Sequence, residues 1–233
     1  MGVANLGVLK IYQTSIGKKV VMAVTGLLWI GFVFFHMYGN LKVFGGATYF
    51  NEYAEGLREV GHPIFGRLHL LTLARLGLIV TILLHIWSAW SLTQQSHAAR
   101  STAYLRTKRL ATNYASLTIR WGGVAILLFL IFHLAQFTWG IPGIHPDFIP
   151  GDAYHNLVVG FQSYYYLTTI IYFLAVIALG LHLYHGTWSM FQTLGLNNKT
   201  YSQLIRLAAT GLAIVVAVGF AIVPIAVILG IVS

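Results

Sequence analysis

The chain has 233 residues, of which 58% are hydrophobic and only 8% charged. Soluble domains carry about 25% charged residues, so a water-soluble globular protein is excluded and a bilayer protein is indicated. Lys and Arg exceed Asp and Glu by 14 to 5, and in a membrane protein such an excess reports orientation rather than affinity for nucleic acid. The absence of cysteine excludes disulfides and cysteine-ligated cofactors from this chain.

The first stretch, Met1 to Lys19, is mildly polar and ends in the pair Lys18 and Lys19. The apolar run behind it is longer than the hydrophobic region of a signal peptide, so a retained first helix is expected. Spanning the roughly 30 Å hydrocarbon core takes about 20 apolar residues in a helix. Five runs qualify: about Val20 to Tyr38, Leu68 to Leu92, Trp121 to Trp139, Tyr165 to Phe191 and Ile205 to Ile231. The expected fold is an all-α integral membrane protein, a single domain over residues 1–233 built as a bundle of five transmembrane helices.

Between the first two runs, Gly39 to Arg67 intersperses Tyr49, Phe50, Tyr53 and Leu57 with acids, a spacing that predicts a short interfacial helix. The connection from Thr93 to Ile119 is basic and suits a cytoplasmic partner or anionic headgroups. Pro224 falls inside the fifth run, where a bundle absorbs the lost backbone hydrogen bond. No internal repeat is visible.

With a cytoplasmic N-terminus, the inner segments collect Lys10, Lys18, Lys19, Arg100, Arg106, Lys108, Arg109, Arg120, Lys199 and Arg206. The outer segments hold Lys42, Arg58 and Arg67 together with all the acids. The positive-inside rule therefore places the N-terminus in the cytoplasm and the C-terminus outside, in the inner (cytoplasmic) membrane of a cell. Trp87, Trp90, Trp121, Trp139 and Trp188 fall towards span ends, as an aromatic belt requires.

An ionisable side chain inside a span is costly and marks function by default. Each of the first four spans carries a histidine, at His36, His85, His133 and His182, and the fifth carries none. Each lies in the later part of its run, and successive helices run in opposite directions. The first and third helices thus set His36 and His133 towards the outer face, and the second and fourth set His85 and His182 towards the inner face. Two imidazoles facing each other fill both axial positions of six-coordinate haem iron, so the pattern predicts two b-type haems stacked across the bilayer. The pairs are His36 with His133 and His85 with His182, in layers separated by most of the membrane.

His185 lies one turn from His182, and depth alone leaves either as the ligand. His62, His69, His97, His145 and His155 read as solvated or interfacial residues without a ligand role. Arg75 lies about 15 Å before His85 along its helix, level with the outer layer, where its guanidinium is set either to pair with haem propionates or to snorkel to the headgroups. Gly26, Gly31, Gly122, Gly123, Gly180 and Gly186 leave room for close helices or a flat macrocycle.

The run Ser15-Ile16-Gly17-Lys18-Lys19, continuing through Met22-Ala23-Val24-Thr25-Gly26 to His36 and Gly39-Asn40-Leu41, resembles the single-chain, five-helix, dihaem cytochrome b anchor of succinate dehydrogenases and fumarate reductases. So does His182-Leu183-Tyr184-His185-Gly186-Thr187-Trp188-Ser189 with Phe191-Gln192-Thr193-Leu194-Gly195, and the resemblance extends over essentially the whole chain. It implies axial ligands at His36, His85, His133 and His182, and thereby chooses His182 over His185, which becomes a residue beside the inner haem.

The resemblance further implies an iron–sulfur subunit on the cytoplasmic face, a flavoprotein subunit that oxidises succinate, and a quinone as electron acceptor, menaquinone ahead of others. Tyr38, Glu55 and Glu59 are the candidate quinone-site residues. Two rivals remain: the haem b subunit of another membrane oxidoreductase, and a haem-free transporter with a histidine proton relay, which would show inverted repeats and broken helices.

Overall fold

In the computed structural model of the protein, residues 12–99, 114–164 and 166–233 are described, and the regular elements among them are all helical. In chain order these are α1 (Ser15–Leu41), a 3-10 turn (Lys42–Gly45), α2 (Ala47–Glu59), α3 (His69–Ala98), α4 (Tyr114–Phe137), α5 (Ala153–Gln162), α6 (Leu167–Thr193) and α7 (Ser202–Ile228). Five of them, α1, α3, α4, α6 and α7, are long and apolar enough to cross a bilayer, the pattern of a multi-pass membrane protein.

Their surfaces agree. Leu73, Leu83, Leu128, Leu174, Leu207 and Trp121 are all more than 60% exposed. Apolar patches beyond a few hundred Å² are rare on soluble monomers, whereas facing lipid tails they carry no penalty.

The helices run past the apolar stretches that betray them. α3 continues through the polar residues Ser91–Ala98, well beyond Leu92, and α4 begins at Tyr114, seven residues before Trp121. Hydropathy marks where lipid contact ends, whereas backbone hydrogen bonding continues through polar residues of adequate helix propensity. α7 starts three residues early at Ser202 and runs through Pro224 to Ile228. Tyr165, the expected start of the fourth span, and the basic residues Lys10, Arg100, Arg106, Lys108 and Arg109 lie outside the described residues.

α1 and α6 form the centre of the bundle: they pack on each other and share α7, while α3 packs on α1 and α4 on α6. Two short helices cap one end. α2, expected as an interfacial helix, starts after Gly46, whose φ of +88° suits the one residue type without a Cβ. α5 is N-capped by Asp152, whose carboxylate accepts the backbone N–H of His155 at 2.9 Å. Asn51 of α2 joins the two, donating to Asp152 at 3.0 Å and accepting the Tyr154 N–H at 2.9 Å.

The cap closes on a core of Val43, Phe50, Leu157, Val158, Phe161, Tyr172, Val223 and Val227. At the opposite end, the Lys18 ammonium on α1 donates to Ser91 of α3 at 2.7 Å.

Candidate functional site

The intramembrane histidines meet in twos. His36 on α1 and His133 on α4 have ring centroids 5.8 Å apart with planes at 81°. His85 on α3 and His182 on α6 have centroids 6.3 Å apart at 57°. Since α3 packs on α1 and α4 on α6, each pair spans a diagonal of the bundle. Two imidazoles that share one metal, each bonded at about 2 Å with its centroid about 1 Å behind the nitrogen, have centroids about 6 Å apart. Both pairs sit close to that separation.

The protons can be placed by counting donors. Tyr172 on α6 lies 2.9 Å from His133 Nδ1 and donates its single hydroxyl proton to Gln136 Oε1 at 3.0 Å. The Gln136 amide is oriented in turn by its donation to the Gly160 carbonyl at 3.0 Å. With its proton engaged, the phenol oxygen is the acceptor, so His133 carries its proton on Nδ1 and leaves a lone pair on Nε2.

His85 repeats the logic with different parts. Its Nδ1 is 3.1 Å from Thr25 Oγ1 on α1, and Thr25 gives its own proton to the Val21 carbonyl at 2.7 Å. His85 is again protonated at Nδ1, with Nε2 free to ligate. The remaining two imidazoles are held otherwise. His36 stacks on Phe32 at 5.3 Å and lies against Phe220 at 5.9 Å. His182 Nδ1 is buried without a hydrogen-bond partner among the described residues.

These cross-links measure the spacing of the layers. Thr25, level with His85, is eleven residues before His36 on α1, or about 16 Å. Tyr172, level with His133, is ten residues before His182 on α6, or about 15 Å. The layers are therefore closer than the expected separation by most of the membrane, standing about half of a 30 Å hydrocarbon core apart. The reason is that His85 lies near mid-helix rather than late, because α3 continues beyond Leu92 to Ala98.

The surroundings differ between layers. Around His133 stand Phe129 at 5.9 Å, Phe137 at 5.6 Å and Tyr172 at 6.0 Å. Beside the other pair the neighbours are glycines: a Cβ on Gly26 would stand 3.4 Å from His85 Cε1, and one on Gly123 would stand 3.7 Å from His182 Cε1. Of the other small residues singled out, Gly180 faces Ala217 of α7, while Gly31, Gly122 and Gly186 face open space.

Arg75 is exposed on α3, and His185 is half-buried on α6 beside the His182 turn. Tyr38 is 54% exposed and belongs to a cluster in which the Lys42 ammonium sits 5.1, 5.0 and 4.9 Å from the rings of Tyr38, Tyr49 and Tyr53. Glu55 is held by Arg67 at 2.5 Å and Arg58 at 2.6 Å, and these guanidiniums, Arg67 first, keep its carboxyl below the usual carboxylate range. Glu59 is exposed.

A second expectation is corrected. His145, read from the sequence as solvated or interfacial, is fully buried: its Nε2 donates to the Asn156 carbonyl at 2.8 Å and its ring packs on Phe137 and Phe148. It closes the loop beneath the cap, a role set by tertiary folding. Sequence reasoning also passed over Thr25, Gln136 and Tyr172, which read as ordinary residues of apolar helices. The available signal was a polar residue inside a span, the same one that found the histidines.

Comparison of the chain with protein-family models, curated proteins and solved structures finds no match.

Proposed function

We propose that each histidine pair holds one b-type haem, and that the chain is the membrane anchor and electron-transfer subunit of a succinate:quinone oxidoreductase. The observation that carries the haem reading is the pairing itself: two pairs of imidazoles at the separation a shared metal requires, each with one member fixed in the tautomer that frees Nε2. Bound at these pairs, haem supplies a one-electron redox couple at two depths.

The chain's own residues hold and insulate the two sites. His36 and His133 serve the layer beneath the α2–α5 cap, and His85 and His182 serve the other. The phenylalanines around His133 keep water from the capped layer, and Gly26 and Gly123 leave the open layer room beside its imidazoles. Arg75, exposed on α3 and level with the capped layer, would supply a guanidinium to haem propionates. His185, one turn from His182, stands beside the open layer.

The positive residues at the open end support its facing the cytoplasm, towards an iron–sulfur subunit and, beyond it, the flavoprotein that converts succinate to fumarate, two electrons and two protons. Haem held at His85–His182 would take up the electrons and haem held at His36–His133 would pass them to a quinone, menaquinone ahead of others, which takes up two protons as it is reduced. Tyr38 and Glu59 are the exposed candidates near that exit; Glu55 is engaged by its arginines. The resemblance of the two long motifs singles out succinate as the donor among membrane cytochromes b.

Succinate added to anaerobic membranes containing the complex will reduce a b-type haem absorbance, and substitution of His133 or His182 will abolish part of the signal. Reduction by formate or hydrogen but not succinate assigns the chain to a different oxidoreductase.

A further inference from the structure

Among the described residues, one imidazole in each pair is gripped at Nδ1 by a hydroxyl on a neighbouring helix, and the Met22 carbonyl of α1 also faces His85. Tyr172 of α6 holds His133 of α4, and Thr25 of α1 holds His85 of α3. Each hydroxyl has spent its proton elsewhere, on Gln136 or on the Val21 carbonyl, and is left an obligate acceptor. Tyr172 is 8% exposed, Thr25 4% and Gln136 0%, so water does not compete for these bonds. In such surroundings a hydrogen bond is stronger than in water, and a ligating imidazole that donates its other N–H becomes a more basic, more electron-donating ligand.

We propose, resting on the haem reading above, that Tyr172 and Thr25 are positioning residues that separately set the reduction potentials of the capped and the open layer. An electron-rich imidazole favours the oxidised metal, so each hydroxyl lowers the potential of its own layer. With layers about 15 Å apart and no residue shared between the two hydrogen-bond chains, the adjustments are independent. Gln136 belongs to the same device: by fixing the phenol proton it keeps Tyr172 an acceptor, and Gly160 at the edge of the cap fixes Gln136.

The test is a spectroelectrochemical titration of the purified full chain and of two near-isosteric variants. Tyr172→Phe is expected to raise the potential of the layer that His133→Ala abolishes and to leave the other unmoved. Thr25→Val is expected to raise only the potential of the layer lost in His85→Ala. A variant that keeps both haems with its own layer's potential unchanged, or that shifts both layers equally, overturns the proposal.

If Tyr172→Phe fails to hold its haem, Gln136→Leu carries that arm, because it leaves the phenol on His133. A smaller rise in the same layer is expected there, and no change refutes the role. A wild-type chain without haem would instead refute the reading on which this proposal rests, and the two failures are thus distinguishable.

Discussion

At the His36–His133 layer the imidazoles are enclosed by aromatic side chains from four helices and roofed by α2 and α5, while the His85–His182 layer is bordered by Gly26, Gly123 and the short side chain of Thr25. The same pair of residues is thus positioned in two ways. The capped layer relies on packing and a hydrogen-bond chain that ends in the cap, through Tyr172, Gln136 and the Gly160 carbonyl. The open layer relies on space, with one hydroxyl that satisfies its own helix. The capped layer should accordingly respond to changes in the surrounding packing, and the open layer to added volume.

The largest effect expected is loss of a whole site. If each pair holds one haem, as proposed, His36→Ala or His133→Ala will halve the haem content by removing the capped layer alone, and His85→Ala or His182→Ala will halve it by removing the open one, as read by haem extraction and difference spectra. If any single substitution empties both layers, the two are not independent sites.

Next in size is overpacking. Gly26→Val sets branched carbons against His85, whose Cε1 already lies 3.4 Å from where a Cβ would stand. A cost of about 1–3 kcal/mol is expected, seen as weakened haem retention in the open layer with the capped layer intact. Gly31→Ala, pointing into open space, should change neither and serves as the control.

The cap gives a smaller, pH-dependent effect. Asp152→Ala removes the cap of α5 and its tie to Asn51, for a loss of about 1 kcal/mol in thermal unfolding. The His155 N–H and the Asn51 amide hold the Asp152 carboxyl below the usual carboxylate range. Its contribution is therefore fully present above an ordinary Asp pKa of about 4 and is lost as pH falls through the lower folded value. The wild-type advantage over the variant should be complete at neutral pH and shrink in acid, and an advantage that grew in acid would contradict the assignment. Smallest of all, Glu55→Gln breaks exposed ion pairs that salt already screens, and both haems should remain with unchanged spectra.

Much of this contrast was legible in the residues. The spans, the interfacial helix and the two histidine pairings follow from apolar length and alternating helix direction, which act locally. Depth was less legible: His85 proved mid-helical because Thr93–Ala98 stay helical beyond the apolar run. The hydroxyl grips were legible only as polar residues inside a span. Thr25 and Tyr172 acquire meaning only when α1 meets α3 and α6 meets α4, and neither residue type signals this alone. His145 was hidden for the same reason, since a loop histidine is buried only once the loop folds under its cap.

On the proposed reading, the two imidazole pairs hold two haems. Its most direct test is the haem-to-protein ratio of the purified chain, determined with a low-temperature electron paramagnetic resonance spectrum. The expected result is two b-type haems per chain, both low-spin with two axial imidazoles. A ratio of one or none, or a high-spin five-coordinate signal, would contradict it.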